Sequence, residues 1–276
     1  MITSITSPFA APVASGTLCV ILDACFDMNL PTTLQHAYGY TAACCVPLFE
    51  GTPYAGLQAA GPYVLRCPAH GELADYARGL LERADAGYVA YLADSASLAQ
   101  AVEHWRSLLT MRTDTSLRML RFFDPRWLEP LLTSFDDRER AHFIGPCTDL
   151  AWRNELGWRH CTNPHPEWDG ELRAPGWLYL SPAHQAGLEQ RQLEVLAQRL
   201  AQDYQQALPM PEPVEFVLRQ LLGARQAGYS HRVDMERWLR IALVKGDHFW
   251  RSPPHAEYLA RDDLASADKL SVLERL

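Results

Sequence analysis

The densest mixtures of charge and aromatic rings in the chain are His104-Trp105-Arg106 and Arg121-Phe122-Phe123-Asp124-Pro125-Arg126. A guanidinium fork matches a carboxylate at two points, and a desolvated arginine needs such a partner. Arg106, Arg121 and Arg126 are therefore expected to engage Asp124 or other carboxylates nearby, buried together by the surrounding rings. Asp124 followed by Pro125 reads as a helix cap with a first-turn proline, opening the helix DPRWLEPLL. The role this implies is architectural, fixing where helix, strand and loop meet. Asp23, Asp27, Asp124 and Glu129 could also supply paired carboxylates for acid–base work. Asp23 ends an apolar strand, where active sites of α/β folds often sit. Capping and ion pairing account for the same residues without a reaction.

His160, Cys161 and His165 offer imidazole and thiolate groups of the kind that hold zinc. Adjacent residues rarely turn toward one ion, however, and no fourth ligand stands out, so a polar loop is the simpler reading. No G-x-S-x-G elbow, phosphate-binding glycine loop or H-E-x-x-H helix occurs. The expectation is a protein with no catalytic residue, no metal and no cofactor. Trp152, Trp158, Trp168 and Trp177 lie among Pro, Gly, His and Asn in a segment that reads as short irregular strands and loops. They suit either a surface for a partner protein, where Trp is enriched, or the filling of a seam between lobes.

Regular elements must position these groups. Residues 1–16 are small, polar and Pro-containing and read as a flexible tail. LCVILDA, ACCVPLF, PYVLRC and YVAYLA have strand length and β-branched or apolar composition. Between them lie PTTLQHAYGY, with Pro31 in its first turn, and ELADYARGLLERADAG, a helix expected to stop at Gly87. Ser95 or Ser97 caps the helix carrying LAQAVEHWRSLL, and LLTMRT with LRMLRFF form a hairpin around Asp114–Ser116. Beyond Pro182 the periodicity is helical, with Val214, Val217, Leu218, Leu221 and Leu222 on one stripe. The fold class is α+β: an α/β-like lobe with a mixed sheet over 17–182, and an all-helical lobe over 183–276.

The 276 residues are long enough to bury a core without metal or disulfide support. A net charge of −8 argues against a general nucleic-acid binder. Seven cysteines with no C-x-x-C pair read as buried, reduced thiols. No run approaches a membrane span and the start has no basic signal region, so the cytoplasm is the expected compartment.

One longer stretch has a recognisable order. HWRSLLTMRTDTSLRMLRFFDPRWLEPLL, followed by FIGP at Phe143–Pro146, resembles the core of the DUF4123 family. His104, Arg106, Arg121, Phe122, Asp124, Pro125 and Arg126 match its motif positions. VILDA, LFEGTP at Leu48–Pro53 and GPYVL at Gly61–Leu65 resemble its upstream elements, and GYSHRVDMERWLRIALVKGDHFW its helical second lobe. The resemblance implies a bacterial type VI secretion adaptor or chaperone. Such a protein binds a cargo effector and helps load it onto the VgrG spike, without acting as an enzyme. Its implied partners are the effector and VgrG, with no nucleic acid and no membrane. The competing readings are a hydrolase with a carboxylate or metal site, and an immunity protein that blocks a toxin.

Overall fold

The computed structural model describes residues 2–9, 16–27, 29–39, 45–68, 70–83, 86–154, 157–167, 170–208 and 210–276. Its first element corrects the reading of a free tail. Ile2–Ile5 forms an edge strand, β1, paired antiparallel with residues 158–161. Ile2 packs on one face of the sheet and Ile5 on the other, so four residues suffice to anchor it. The chain then makes β2 (Thr17–Asp23), α1 (Leu30–Tyr38), β3 (Cys45–Pro47), β4 (Pro62–Arg66), α2 (Glu72–Leu81) and β5 (Gly87–Leu92). Next come α3 (Leu98–Leu108), β6 (Thr110–Arg112), β7 (Leu117–Met119), α4 (Pro125–Ser134) and α5 (Asp137–Ile144). β8 (Cys147–Asn154), β9 (Gly157–Thr162), β10 (Leu178–Tyr179) and α6 (Pro182–Asp203) follow.

Seven strands form one sheet in the order β1-β9-β8-β5-β2-β4-β3. β2 is apolar from Leu18 to Leu22 because both of its faces are covered. Leu18, Val20 and Leu22 pack into one layer, Cys19 and Ile21 into the other. Every neighbouring pair in this sheet is antiparallel, which corrects the expectation of a mixed one. The alternation of strands and helices does mark a crossover. β4 and β5 both run against β2, hence parallel to each other, and α2 links them. β2 lies between the two joined strands, so no parallel neighbours arise here. Parallel pairing occurs only in a small second sheet, β10-β6-β7, among the described residues.

Three further expectations change. Residues 147–162, read as irregular, are a regular hairpin of the main sheet, β8 with β9. α2 ends at Leu81, and Gly87, expected as its stop, opens β5 instead. The hairpin around Asp114–Ser116 forms as expected but belongs to the small sheet. Cys44 lies outside the described residues; the other six cysteines are free thiols, five of them buried. Burial pushes Cys19 up to about 12 and Cys67 up to about 11, so both behave as small hydrophobes at neutral pH.

The chain divides into two compact units, Met1–Leu188 and Glu189–Leu276, with the division inside α6 rather than at its start. The second unit continues with α7 (Pro213–Gln226), α8 (Arg232–Lys245), α9 (His255–Leu259) and α10 (Ser266–Leu273). Val217 and Leu221 from the predicted stripe enter its core with Leu200, Trp238, Leu239 and Leu270, whereas Val214 is exposed. Among the described residues no helix is long and apolar enough to cross a membrane.

Candidate functional site

Ser97 sets the phase of α3. Its hydroxyl accepts the Gln100 N–H at 3.2 Å, while the Gln100 side chain accepts the Ser97 N–H at 3.0 Å. That register turns Ala101, His104, Trp105 and Leu108 toward the interior. His104 is buried, and its Nε2–H donates to the Phe143 carbonyl at 3.0 Å. Burial holds His104 down to about 4, against the pull of that carbonyl, with the Arg173 charge adding to the depression. It is therefore neutral at physiological pH, with its Nε2 proton committed to the backbone.

The FIGP segment is explained by the same contact. Gly145 ends α5 at φ +60° and ψ −123°, and a Cβ there would lie 2.3 Å from His104 Nε2. Only glycine lets this turn pass so close to the ring. From its other side, Asn163 Nδ2 donates to the Gly145 carbonyl at 3.2 Å and the Cys147 carbonyl at 2.9 Å. α3 and the end of β9 thus grip the turn leading into β8.

Arg106 reaches in another direction. It donates to the Pro47 carbonyl at 3.2 Å, the Leu48 carbonyl at 3.4 Å and Glu103 at 2.9 Å. This ties α3 to the loop after β3, where Phe49 meets Phe123 edge-on at 6.0 Å. Gly61 lies against that ring, and a Cβ on it would be 2.5 Å from Phe49 Cδ2. LFEGTP and GPYVL are therefore two sides of one contact.

Arg121 pairs with Asp23 at 2.7 Å and lies over the Phe123 ring at 5.2 Å. Asp23 also accepts the Cys25 N–H at 3.0 Å. Asp124 caps α4 as expected, accepting the Arg126 N–H at 3.1 Å, and both of its oxygens bind the Arg126 side chain, at 2.9 and 2.7 Å. Phe122 and Pro125 are buried beside it. The three arginines therefore do not converge on Asp124. Arg106 is aimed by α3, while the turn at residues 120–124 sends the guanidiniums of Arg121 and Arg126 to different partners. The other two carboxylates are also committed elsewhere. Asp27 accepts from Asn29 N–H and the Tyr76 hydroxyl, and Glu129 from Asn154 and Arg159.

Two stability effects follow. Asp124→Ala should cost about 1–2 kcal/mol in urea denaturation, the loss of a cap. Arg126, whose side chain is 57% exposed, stays hydrated and adds little. Asp124→Asn, which retains the cap, should lose less. Arg121→Ala should cost about 2–3 kcal/mol, because the Asp23 side chain is fully buried and would lose its cation. Since Arg121 is itself 42% exposed, this lies below the range for a fully buried pair. A cycle with Asp23→Asn should recover part of the loss; additive losses would show the pair to be uncoupled.

Trp152 and Trp158, which suited either a partner surface or the filling of a seam, are buried within the first unit. Strand alternation buries Trp152 in one layer of the main sheet and Trp158 in the other, where it meets Phe9 edge-on at 6.2 Å. Trp177 is partly buried, and its indole N–H donates to Ser107 Oγ at 2.9 Å, docking it on α3. Trp168 lies outside the described residues. The same alternation puts His160 and Cys161 on opposite faces of β9, where they cannot share an ion. His160 donates to Asp149 at 2.8 Å instead. In the second unit the aromatics of GYSHRVDMERWLRIALVKGDHFW also turn inward. Trp238 contacts Tyr229, Phe249 and Trp250 with ring centroids 5.7, 4.9 and 5.4 Å away.

A cavity of about 200 Å³ opens above His104, lined also by Arg138, His142, His165, Glu167 and Arg173. Sequence reasoning singled out His104 and His165 but had no signal for the rest, which come from α5 and the segment before β10.

Residues 18–142 match the model of a family described as Domain of unknown function (DUF4123). The match takes in Asp23, Phe49, Gly61, His104, Arg106 and the segment from Arg121 to Arg126. It ends before Phe143–Pro146 and before the helical unit, both of which the sequence resemblance includes. No curated protein and no solved structure matches the chain.

Proposed function

We propose, on the premise that residues 18–142 make this chain a member of the DUF4123 family, that it is an adaptor for type VI secretion. It binds a cargo effector in the producing cell and helps load it onto the VgrG spike. One observation carries this reading: the polar motif residues bind internal partners. His104 holds a backbone carbonyl, Arg106 holds a loop, Asp23 holds Arg121, and Asp124 holds a helix end. Such commitments support a rigid scaffold that presents surfaces to other chains. They count against a hydrolase built on Asp23 and Asp124, whose oxygens already accept from protein donors.

Deletion of the gene tests the proposal against the immunity reading. An adaptor's loss should abolish delivery of its effector into competitor cells, and the tagged chain should recover both effector and VgrG. An immunity protein would instead protect cells from the co-expressed toxin. Protection without any delivery defect would overturn the proposal.

A further inference from the structure

The small sheet has one edge whose backbone groups lack partners among the described residues. Thr113 N–H donates to the Ser116 carbonyl and Leu120 N–H to the Leu109 carbonyl, both at 2.9 Å. These bonds fix the parity of the β6–β7 pair, so Met111 and Arg118 face each other through their backbones. Thr110 and Arg112 face the other way, and their carbonyls accept from Gly176 and Leu180 at 2.9 Å. By the same parity, the N–H and C=O groups of Leu117 and Met119 point out from β7, away from β6. No hydrogen bond reaches them among the described residues.

The side chains along this edge leave both apolar area and positive charge in solvent. Leu117, Arg112 and Tyr179 form one cross-strand row on the outer face, with Leu117 64% and Tyr179 38% exposed. Arg112 lies over the Tyr179 ring at 5.4 Å. Arg118, exposed on the opposite face of β7, donates to Ser116 Oγ at 3.1 Å. Neither arginine has a carboxylate partner among the described residues, although the chain carries a net charge of −8. The unpaired N–H and C=O groups of a sheet edge are a template for another strand, and the shortness and charge of this one restrict which strand it accepts.

We propose that β7 is a docking edge for an extended segment of a partner protein, added as the fourth strand of the small sheet. Its register defines the segment. Residues opposite Leu117 and Met119 are apolar, and the residue between them, opposite Arg118, is acidic. An alternating apolar–acidic stretch satisfies the outward backbone groups, covers Leu117 and neutralises Arg118 together. This rests on the adaptor reading only in naming a protein as the occupant.

The probe is a synthetic peptide of about ten residues alternating valine and glutamate, with a valine–lysine peptide as its counterpart. The first should bind the full chain and slow amide exchange at Leu117 and Met119. Arg118→Glu should weaken that binding about tenfold and improve binding of the lysine peptide. No binding, indifference to peptide charge, or protection elsewhere would overturn the docking edge. Recovery of effector and VgrG is measured on the same variant. If the wild type recovers both and Arg118→Glu does so equally, the docking edge fails while the adaptor reading stands. If the wild type recovers neither, the adaptor reading fails whatever the peptide does.

Discussion

Gly145→Ala should lower stability by about 2–6 kcal/mol, from two independent sources. The residue sits at φ +60° and ψ −123°, a conformation that costs a residue with a side chain about 1–3 kcal/mol. The added methyl would also stand 2.3 Å from His104 Nε2. The ring cannot retreat cheaply, being buried on α3 with its N–H held by Phe143. Overpacking of this kind costs about 1–3 kcal/mol more. Urea denaturation measures the sum. A second variant separates the sources: His104→Ala in the Gly145→Ala background should recover the steric part and leave the backbone part. A midpoint unchanged by Gly145→Ala would show that the turn does not need its glycine.

Acidification should act on the same contact from the other side. His104 titrates at about 4 in the folded chain and near its ordinary 6.5 when unfolded. Between those values the unfolded state binds the extra proton, so stability falls as pH falls. The contribution is fully present above 6.5 and is lost progressively down to about 4, amounting to about 3 kcal/mol. The groups around the ring are Arg138, His142, His165, Glu167, Glu171 and Arg173, so a protonated His104 would join a charged surround that includes two arginines. Other residues titrate nearby, so the informative quantity is the difference from His104→Gln, which can still donate to Phe143. That variant should show a flatter profile between pH 6.5 and 4. Asp149 acts lower. Burial raises it, but hydrogen bonds from His160, Thr148 and Thr162 prevail and hold it below the usual carboxylate range. Its contribution is present above about 3.8 and disappears on further acidification. Parallel profiles for wild type and His104→Gln would contradict the assignment of the higher window.

Much of the local structure was legible residue by residue. Asp124-Pro125 opens α4, Ser97 caps α3, and Pro31 falls in the first turn of α1, because capping depends on atoms only a few residues apart. The role of Gly145 was not legible. FIGP can be seen in the chain, but the ring that demands a glycine is 41 positions earlier, on another element. The tryptophans misled for a related reason. Trp152 and Trp158 sit among polar neighbours that suggest a loop, yet a strand needs only alternation, and both faces of this hairpin are covered.

The sequence by itself determined where the capped helices α3 and α4 begin, which runs are apolar enough to be central strands, and that aspartates and arginines would be used as structural partners. Those properties follow from periodicity, chain stiffness and the cost of burying charge, all of which act locally or on composition. Tertiary structure alone decided that β2 lies between β4 and β5, and that β1 pairs with β9. It also decided that Arg121 meets Asp23, 98 residues away, rather than Asp124 three residues on. Pairings over such separations depend on which surfaces cover each other once the sheet is assembled, and no short window of sequence contains that information.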